Sequence, residues 1–375
     1  MSIFEKRCER AQQLMSEKGI DFLFVGPGSD MLYLSNYRAM ASERLAVFIL
    51  PAEGKPSFIG PMFEMPRFEL SKTETFYDLL AWEEHEDPVS LIAKLVDPAK
   101  KATIAVDDRH QARFFLRYME RLHKAKFVST MPVLGEMRLH KDATEIGYLT
   151  HLGKMLDKIW EEALKLHYSG RKESEVGLEL QEIKRKIFKE AGEPTLEPPS
   201  ASSRPSSGIN TSSAHGGGGD RVIQPSDAIY WEMGGGSCMG YAGDKTRSAQ
   251  VAPATDEYKK AYEVVKEAQQ TAFEAVRPGV TCESVDLAGR RIIEKAGYGK
   301  CFTHRIGHGL GLDVHEYPYL VRGNKSKLEP GMVFSVEPGV YLPGKWGIRI
   351  EDIVYVTEDG AKSFYSSTKE FQEVK

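Results

Sequence analysis

The chain has 375 residues, 41% hydrophobic and 28% charged, with a formal net charge of −4. That length predicts about two domains around a sizeable core, and the mild acidity argues against nucleic acid as a partner, because phosphate binding needs a basic footprint. Residues 1–20 carry charge throughout, with no apolar stretch for secretion, and the longest apolar runs, such as Leu45–Leu50, are too short to cross a bilayer, so no membrane is expected.

Residues 3–18 place Phe4, Cys8, Ala11, Leu14 and Met15 at helical spacing, and Gly19 closes that helix. A buried strand is expected at 21–25, a turn at the following GPGSD, and two strands at 45–50 and 55–59 joined by a turn over 51–54. A strand at 102–106 and a helix over 111–125 complete an α/β domain spanning 1–135. Its histidines, His85, His110 and His123, show no ligand spacing and receive no catalytic role. Four scattered cysteines, Cys8, Cys238, Cys282 and Cys301, form no CxxC motif, as expected for reduced thiols in a cytoplasm.

From residue 136 the pattern changes to long charged helices, the first beginning at Ala143 and running past Leu166, the second covering 173–191 and closing at Gly192. A Pro-, Ser- and Gly-rich loop over 193–219 carries His215 just before a strand pattern, which favours a substrate loop over a plain linker. Gly216–Gly219 is followed by Asp-Arg and opens no helix, so a phosphate-cradling P-loop is excluded.

An internal repeat organises the remainder. Gly192 and Gly297 end helices with matching closes (KEAG, EKAG), Pro225 and Pro330 precede strands, and Glu232 and Glu337 lie near the strand ends, each pair 105 residues apart. Asp244 and Glu351 close the two halves, 107 apart. Each half therefore reads as helices followed by an antiparallel hairpin offering acids, and a pseudo-twofold axis would bring four carboxylates to one point.

Between those acids the stretch 301–316, CFTHRIGHGLGLDVHE, sets His304, His308 and His315 among Gly307, Gly309 and Gly311, which would let the backbone come close to whatever the rings hold. Four converging carboxylates repel one another unless cations sit between them. Two divalent ions ~3.5–4 Å apart could hold a hydroxide for attack on a carbonyl. Mostly oxygen ligands with one imidazole favour Mn²⁺ or Co²⁺, with Zn²⁺ as a third choice. An HExxH zinc motif is absent, since Tyr-Pro-Tyr follows His315-Glu316.

The motifs GHGLGLDVHE (307–316), SVEPGVY (335–341), GIRIED (347–352) and GYAGDKTR (240–247) resemble the metallopeptidase family of Xaa-Pro dipeptidase (prolidase), aminopeptidase P and methionine aminopeptidase, with creatinase as a metal-free relative. The segment 19–37 resembles the creatinase-type N-terminal domain. The resemblance implies a pita-bread α+β catalytic domain over 136–375, behind the α/β domain, and a homodimer. It implies metal ligation by His308, Asp244, Glu337 and Glu351, with Glu337 also as general acid/base. It further implies that His215 and His315 bind substrate or stabilise the oxyanion, and that Arg349 supports the site. The departure is at the first acid, where the family has aspartate eleven residues before its second. Here Glu232 stands twelve residues before Asp244, with the extra residue expected in the turn 234–240. A glutamate reaches ~1.5 Å further from the backbone, which affects the second metal position. Lys245 should point to the opposite strand face.

Three functions compete on this reading. The first is a cytosolic metallo-exopeptidase on short peptides with proline after the scissile bond. The second is a creatinase-like hydrolase or lyase of a small metabolite, with one metal or none. The third is a silent binding protein, disfavoured because buried unpaired carboxylates are costly to retain.

Overall fold

The computed structural model describes residues 1–70, 76–193, 205–234 and 237–375. Most of the Pro/Ser-rich part of the 193–219 loop, and two residues of the turn expected to carry the insertion, lie outside that set, as does the side chain of Cys238. The chain divides into two compact units, Met1–Arg138 and Leu139–Lys375.

The first unit is built on a six-stranded mixed sheet ordered Asp78–Trp82, Ser57–Pro61, Val47–Pro51, Phe22–Val25, Thr103–Val106 and Lys126–Ser129. The apolar runs legible in the sequence become its central strands, with Leu23, Phe24 and Val25 wholly buried. The helix Ile3–Lys18 opens on a capping box between Ser2 and Glu5 and ends on Gly19 at φ 65°, the left-handed conformation for which glycine carries no Cβ penalty. One element differs from expectation. After the GPG turn, Ser29–Ser35 is a helix rather than more loop, because Met31, Tyr33 and Leu34 bury one face of it.

The second unit shows the duplication directly. Helices Ala143–Ala163 and Glu173–Glu190 precede one antiparallel pair, and helices Asp256–Glu274 and Cys282–Lys295 precede another. Gly192 and Gly297, just past the second helix of each half, both take positive φ (76° and 89°), as the matching KEAG and EKAG closes predict. The first pair, Ala228–Glu232 with Thr246–Val251, sits in a four-stranded sheet, and the second, Val333–Val336 with Asp352–Val356, in a five-stranded one.

Register refines the repeat. Glu232 lies opposite Thr246, and Val336 opposite Asp352, so the next position outward sets Glu337 against Glu351. Thr246 and Glu351 are 105 residues apart, as are Glu232 and Glu337, so the half-repeat counterpart of Glu351 is Thr246 rather than Asp244. Asp244 corresponds at the same offset to Arg349. The unit has two apolar cores, one around Trp160, Tyr168 and Trp231, which also takes Leu310, Val333 and Ile353 from the second half, the other around Tyr258, Tyr262 and Phe334. No helix among the described residues is long and apolar enough to cross a membrane.

Candidate metal centre

Strand alternation puts the chemistry on one face. Along 244–247, Asp244 and Thr246 turn to the site, while Lys245 and Arg247 turn away, as a period of two requires. Lys245 Nζ is fully buried against Asp157 Oδ1 and Ser367 Oγ, each at 2.6 Å. Arg247 pairs with Asp352 Oδ1 at 2.7 Å. The cation beside Asp244 is thus consumed by scaffold and does not neutralise the acids.

Asp244, His308 and Glu351 each offer a ligand atom, all within 4.8 Å of one another, and all three residues are buried. Glu351 Oε2 accepts a hydrogen bond from Thr246 Oγ1 at 2.6 Å. Its other oxygen, Oε1, is buried without a hydrogen-bond partner among the described residues. Burial, then the Glu337 charge, raise the Glu351 carboxyl to about 7. Asp244 is likewise raised by burial and then by Glu351, Glu232 and Glu337. Buried acids pushed upward by one another, one with an orphaned oxygen, are what a divalent cation would relieve. The donor set of two carboxylates and an imidazole therefore fits a hard to borderline ion.

Glu337 stands beside this set. Its Oε1 lies 3.1 Å from His308 Nε2 and accepts from Ser335 Oγ at 3.0 Å. Burial alone would raise its pKa, but the hydrogen bond and charge of His308 hold it down at about 2. The same pair raises His308, against the pull of its own burial. Ser335 Oγ also accepts the His308 backbone N–H at 2.9 Å, so one hydroxyl ties the acid to the backbone that carries the imidazole.

Glu232 is placed differently. Its Oε2 accepts from Arg349 Nη2 at 2.7 Å, and it is outside the tight three-residue set. Arg349 spends its other donors on Thr246 Oγ1 (2.9 Å) and on the carbonyl of Ala214 (2.9 Å), the residue before His215. His215 and His315 are exposed at the rim. The His315 ring packs edge-on to His308 with centroids 4.0 Å apart. Burial, the His308 charge and Arg305 lower the His315 pKa, so its imidazole is neutral at pH 7.

The glycines of the histidine stretch serve the protein's own chain. A Cβ on Gly307 would run into the Ser335 carbonyl, and one on Gly309 into the Tyr317 carbonyl, so the close approach they permit is strand to strand. Three supporting residues escaped the sequence reading. Thr246 links Arg349 to Glu351, and Ser335 links His308 to Glu337. Both sit two residues from an acid on a strand, a spacing that places them on the same face and could have disclosed them. The third is Glu173, buried without exposure at the start of its helix. Its carboxylate accepts from Ser207 N (2.7 Å), Ser207 Oγ (2.6 Å), Asn210 Nδ2 (2.9 Å) and Gly219 N (2.7 Å), pinning both ends of the loop that presents His215.

Comparison with known proteins matches this architecture throughout. Residues 7–140 fit the Creatinase/Prolidase N-terminal domain, and residues 148–358 fit Metallopeptidase family M24. An Xaa-Pro dipeptidase of Lactobacillus helveticus is 32% identical over 97% of this chain and 98% of its own. The crystal structure of dipeptidase PepE from Mycobacterium ulcerans superposes with a TM-score of 0.90 at 33% identity, covering 99% of this chain and 98% of that one. A recombinant prolidase from Thermococcus sibiricus gives 0.89 at 33% identity with full coverage of both chains. The duplicated hairpins, the histidine between them and the preceding α/β unit are therefore those of a pita-bread peptidase, and the chain belongs to metallopeptidase family M24.

Proposed function

We propose that the protein is a metal-dependent exopeptidase that hydrolyses short peptides at Xaa-Pro bonds, working in the cytoplasm as a homodimer. The observation that carries the reading is the buried trio Asp244, His308 and Glu351, with Glu351 Oε1 left without a partner. The likeness to enzymes named Xaa-Pro dipeptidase and prolidase supplies the substrate class. Asp244, His308, Glu337 and Glu351 would hold one divalent ion, Mn²⁺ or Co²⁺ with Zn²⁺ third, and Glu232 with Asp244 would complete a second position. Such ions supply Lewis acidity toward the scissile carbonyl and make bound water acidic near neutral pH.

The chain's own groups do the rest. Glu337, ionised at neutral pH, accepts the proton of the attacking water and passes it to the departing proline nitrogen. His315, neutral and therefore still carrying one N–H, donates to the oxygen on which charge develops, and His215 on the facing loop orients the substrate. Arg349 fixes Glu232 and the backbone before His215 together.

Adding Mn²⁺ or Co²⁺ to metal-stripped protein is expected to restore hydrolysis of Xaa-Pro dipeptides. Absence of turnover on every Xaa-Pro dipeptide and tripeptide, with any divalent ion, would overturn the assignment. The Glu232–Arg349 pair favours a second reading, a single-ion enzyme acting on a small amine-containing metabolite, and counting bound ions separates the two.

A further inference from the structure

His315 stands on the turn over 310–315, which joins strands Gly307–Gly309 and Glu316–Leu320 and lies outside any helix or strand. Its hold comes from residues just ahead of the helix Ala143–Ala163. Lys141 Nζ, in a side chain only 1% exposed, donates to Glu316 Oε1 at 2.5 Å. The other carboxylate oxygen of Glu316 accepts the Asp313 backbone N–H at 3.4 Å. Glu316 thus reaches back across the turn and ties it to an ammonium. Gly311 leaves the room for this, since a Cβ there would come within 2.6 Å of Glu316 Oε1 and 3.0 Å of Lys141 Cε.

Lys141 is itself fixed through its backbone. Its N–H donates to the Gly331 carbonyl at 2.8 Å, and His140 bridges to Met332. Glu145, also buried, accepts the Asp142 N–H at 2.8 Å and the Tyr241 hydroxyl at 2.6 Å. Beside Tyr241, the Ala242 N–H donates to the Gly311 carbonyl at 2.8 Å, which leads back to the turn. A closed polar circuit therefore runs from Lys141 through Glu316, the turn, residues 241–242 and Glu145 to Asp142. It takes in His315 and ends two residues short of Asp244. A buried ion pair adds little net stability but is costly to break from one side, because a charge is left without its partner. Its place in this circuit points to alignment.

We propose that Lys141 is a positioning residue for the hydrolysis: through Glu316 it holds the turn over 310–315, and with it the distance between the His315 N–H and the oxygen on which charge develops. The mechanism above gives Lys141 and Glu316 no part. A displacement on the order of 1 Å, at a group that acts only on the developing charge, costs rate rather than substrate binding. The inference rests on the peptidase reading and adds to it the cation that aligns its oxyanion donor.

The test measures kcat, KM and bound ions on metal-loaded wild type, Lys141→Met, His315→Ala and the two changes combined. Lys141→Met is expected to lower kcat roughly ten- to hundredfold, with KM and ion count within about threefold of wild type. In the His315→Ala background the same change should cost less than about twofold, because a residue that acts through His315 has nothing left to align. An unchanged kcat in Lys141→Met, or losses that multiply in full in the combined variant, would overturn the proposal. Lys141→Met with Glu316→Leu removes both charges and strands neither, so it serves as well if the single variant does not fold. Its kcat should be as low; a wild-type rate there would show that the pair does not align the turn, and the proposal would fall. Amide hydrogen exchange gives a reading independent of turnover: across 310–316 it should rise at least about fivefold in Lys141→Met, and across 333–337 it should not. Equal exchange over 310–316 in both proteins would refute the hold on the turn. Failure to hydrolyse any Xaa-Pro peptide would sink the peptidase assignment, while the exchange rates would still decide for or against Lys141.

Discussion

Glu232 and Arg349 meet at 2.7 Å, one from each half of the duplicated domain, with the arginine almost wholly buried and the glutamate 38% exposed. The longer glutamate side chain reaches the arginine, leaving Oε1 outside that pair. The site is thus asymmetric: three groups already clustered, and a fourth acid tethered to a positive charge.

That asymmetry sets the order of metal loading. We predict two binding steps of unequal affinity in calorimetric titration of metal-stripped protein, the tighter belonging to Asp244, His308 and Glu351. Glu232→Ala should abolish the weaker step, leave the tighter within about threefold, and reduce kcat at least tenfold, since a two-ion site shares the attacking and leaving oxygens between its ions. Loss of the tighter step in that variant would mean that Glu232 belongs to the primary site.

The acids should destabilise the metal-free protein by mutual repulsion. Asp244→Asn removes one of the interacting charges, and we predict a metal-free protein more stable by about 1–3 kcal/mol at pH 7.5. The sign follows from the raised carboxyls. Their contribution is fullest at low pH and is lost as pH rises, through about 7 for Glu351. The same variant should lose the stabilisation that Mn²⁺ gives wild type, which a ligand at 100 times its Kd would set at about 2.7 kcal/mol. Thermal unfolding with and without Mn²⁺ checks both signs.

Glu173 touches no reacting atom, yet its carboxylate fastens the loop that presents His215. Glu173→Gln puts an amide donor where several donors already converge. We predict a fall of kcat/KM of at least tenfold, with ion stoichiometry unchanged, and a stability loss of about 2–4 kcal/mol. An unaltered kcat/KM would show that the loop holds its conformation without this anchor.

In the first unit, burial lowers His110 from 6.5 to about 4 while its Nε2 meets Tyr118 Oη at 3.0 Å. The unfolded chain takes up that proton first as pH falls, so the stability His110 contributes is complete above 6.5 and is lost between 6.5 and about 4. Asp107, raised to about 6 chiefly by burial, acts in the opposite sense, its contribution present below 3.8 and lost as pH rises through 6. The stability difference between wild type and His110→Gln, from denaturant unfolding, should therefore be largest near pH 7.5 and shrink, by roughly 1–3 kcal/mol, toward pH 4. A pH-independent difference would refute this account.

Much of this was legible in the chain itself. Apolar runs and glycine stops located the first helix and the central strands, because burial and left-handed caps leave local marks. The KEAG and EKAG closes exposed the duplication, and motif resemblance picked out the acids and His308. The Asp244-to-Glu351 offset of 107 was the weaker inference, since cross-strand register, which spacing alone does not set, pairs Glu351 with Thr246 instead. The partnership of Glu232 with Arg349 was equally hidden, as it joins residues 117 positions apart through side-chain reach. Glu173 left no mark, because an acid in the first turn of a helix reads as an ordinary response to the helix dipole.

The alternation along 244–247 has a consequence for how this enzyme can change. A slip of a single residue there would turn Asp244 toward Asp157, the acid that Lys245 now neutralises, and swing an ammonium into the cation pocket, losing catalyst and scaffold together. Insertions are therefore confined to the turn ahead of Asp244, and drift in the chemistry has to proceed by exchanging side chains on a backbone that is not free to move.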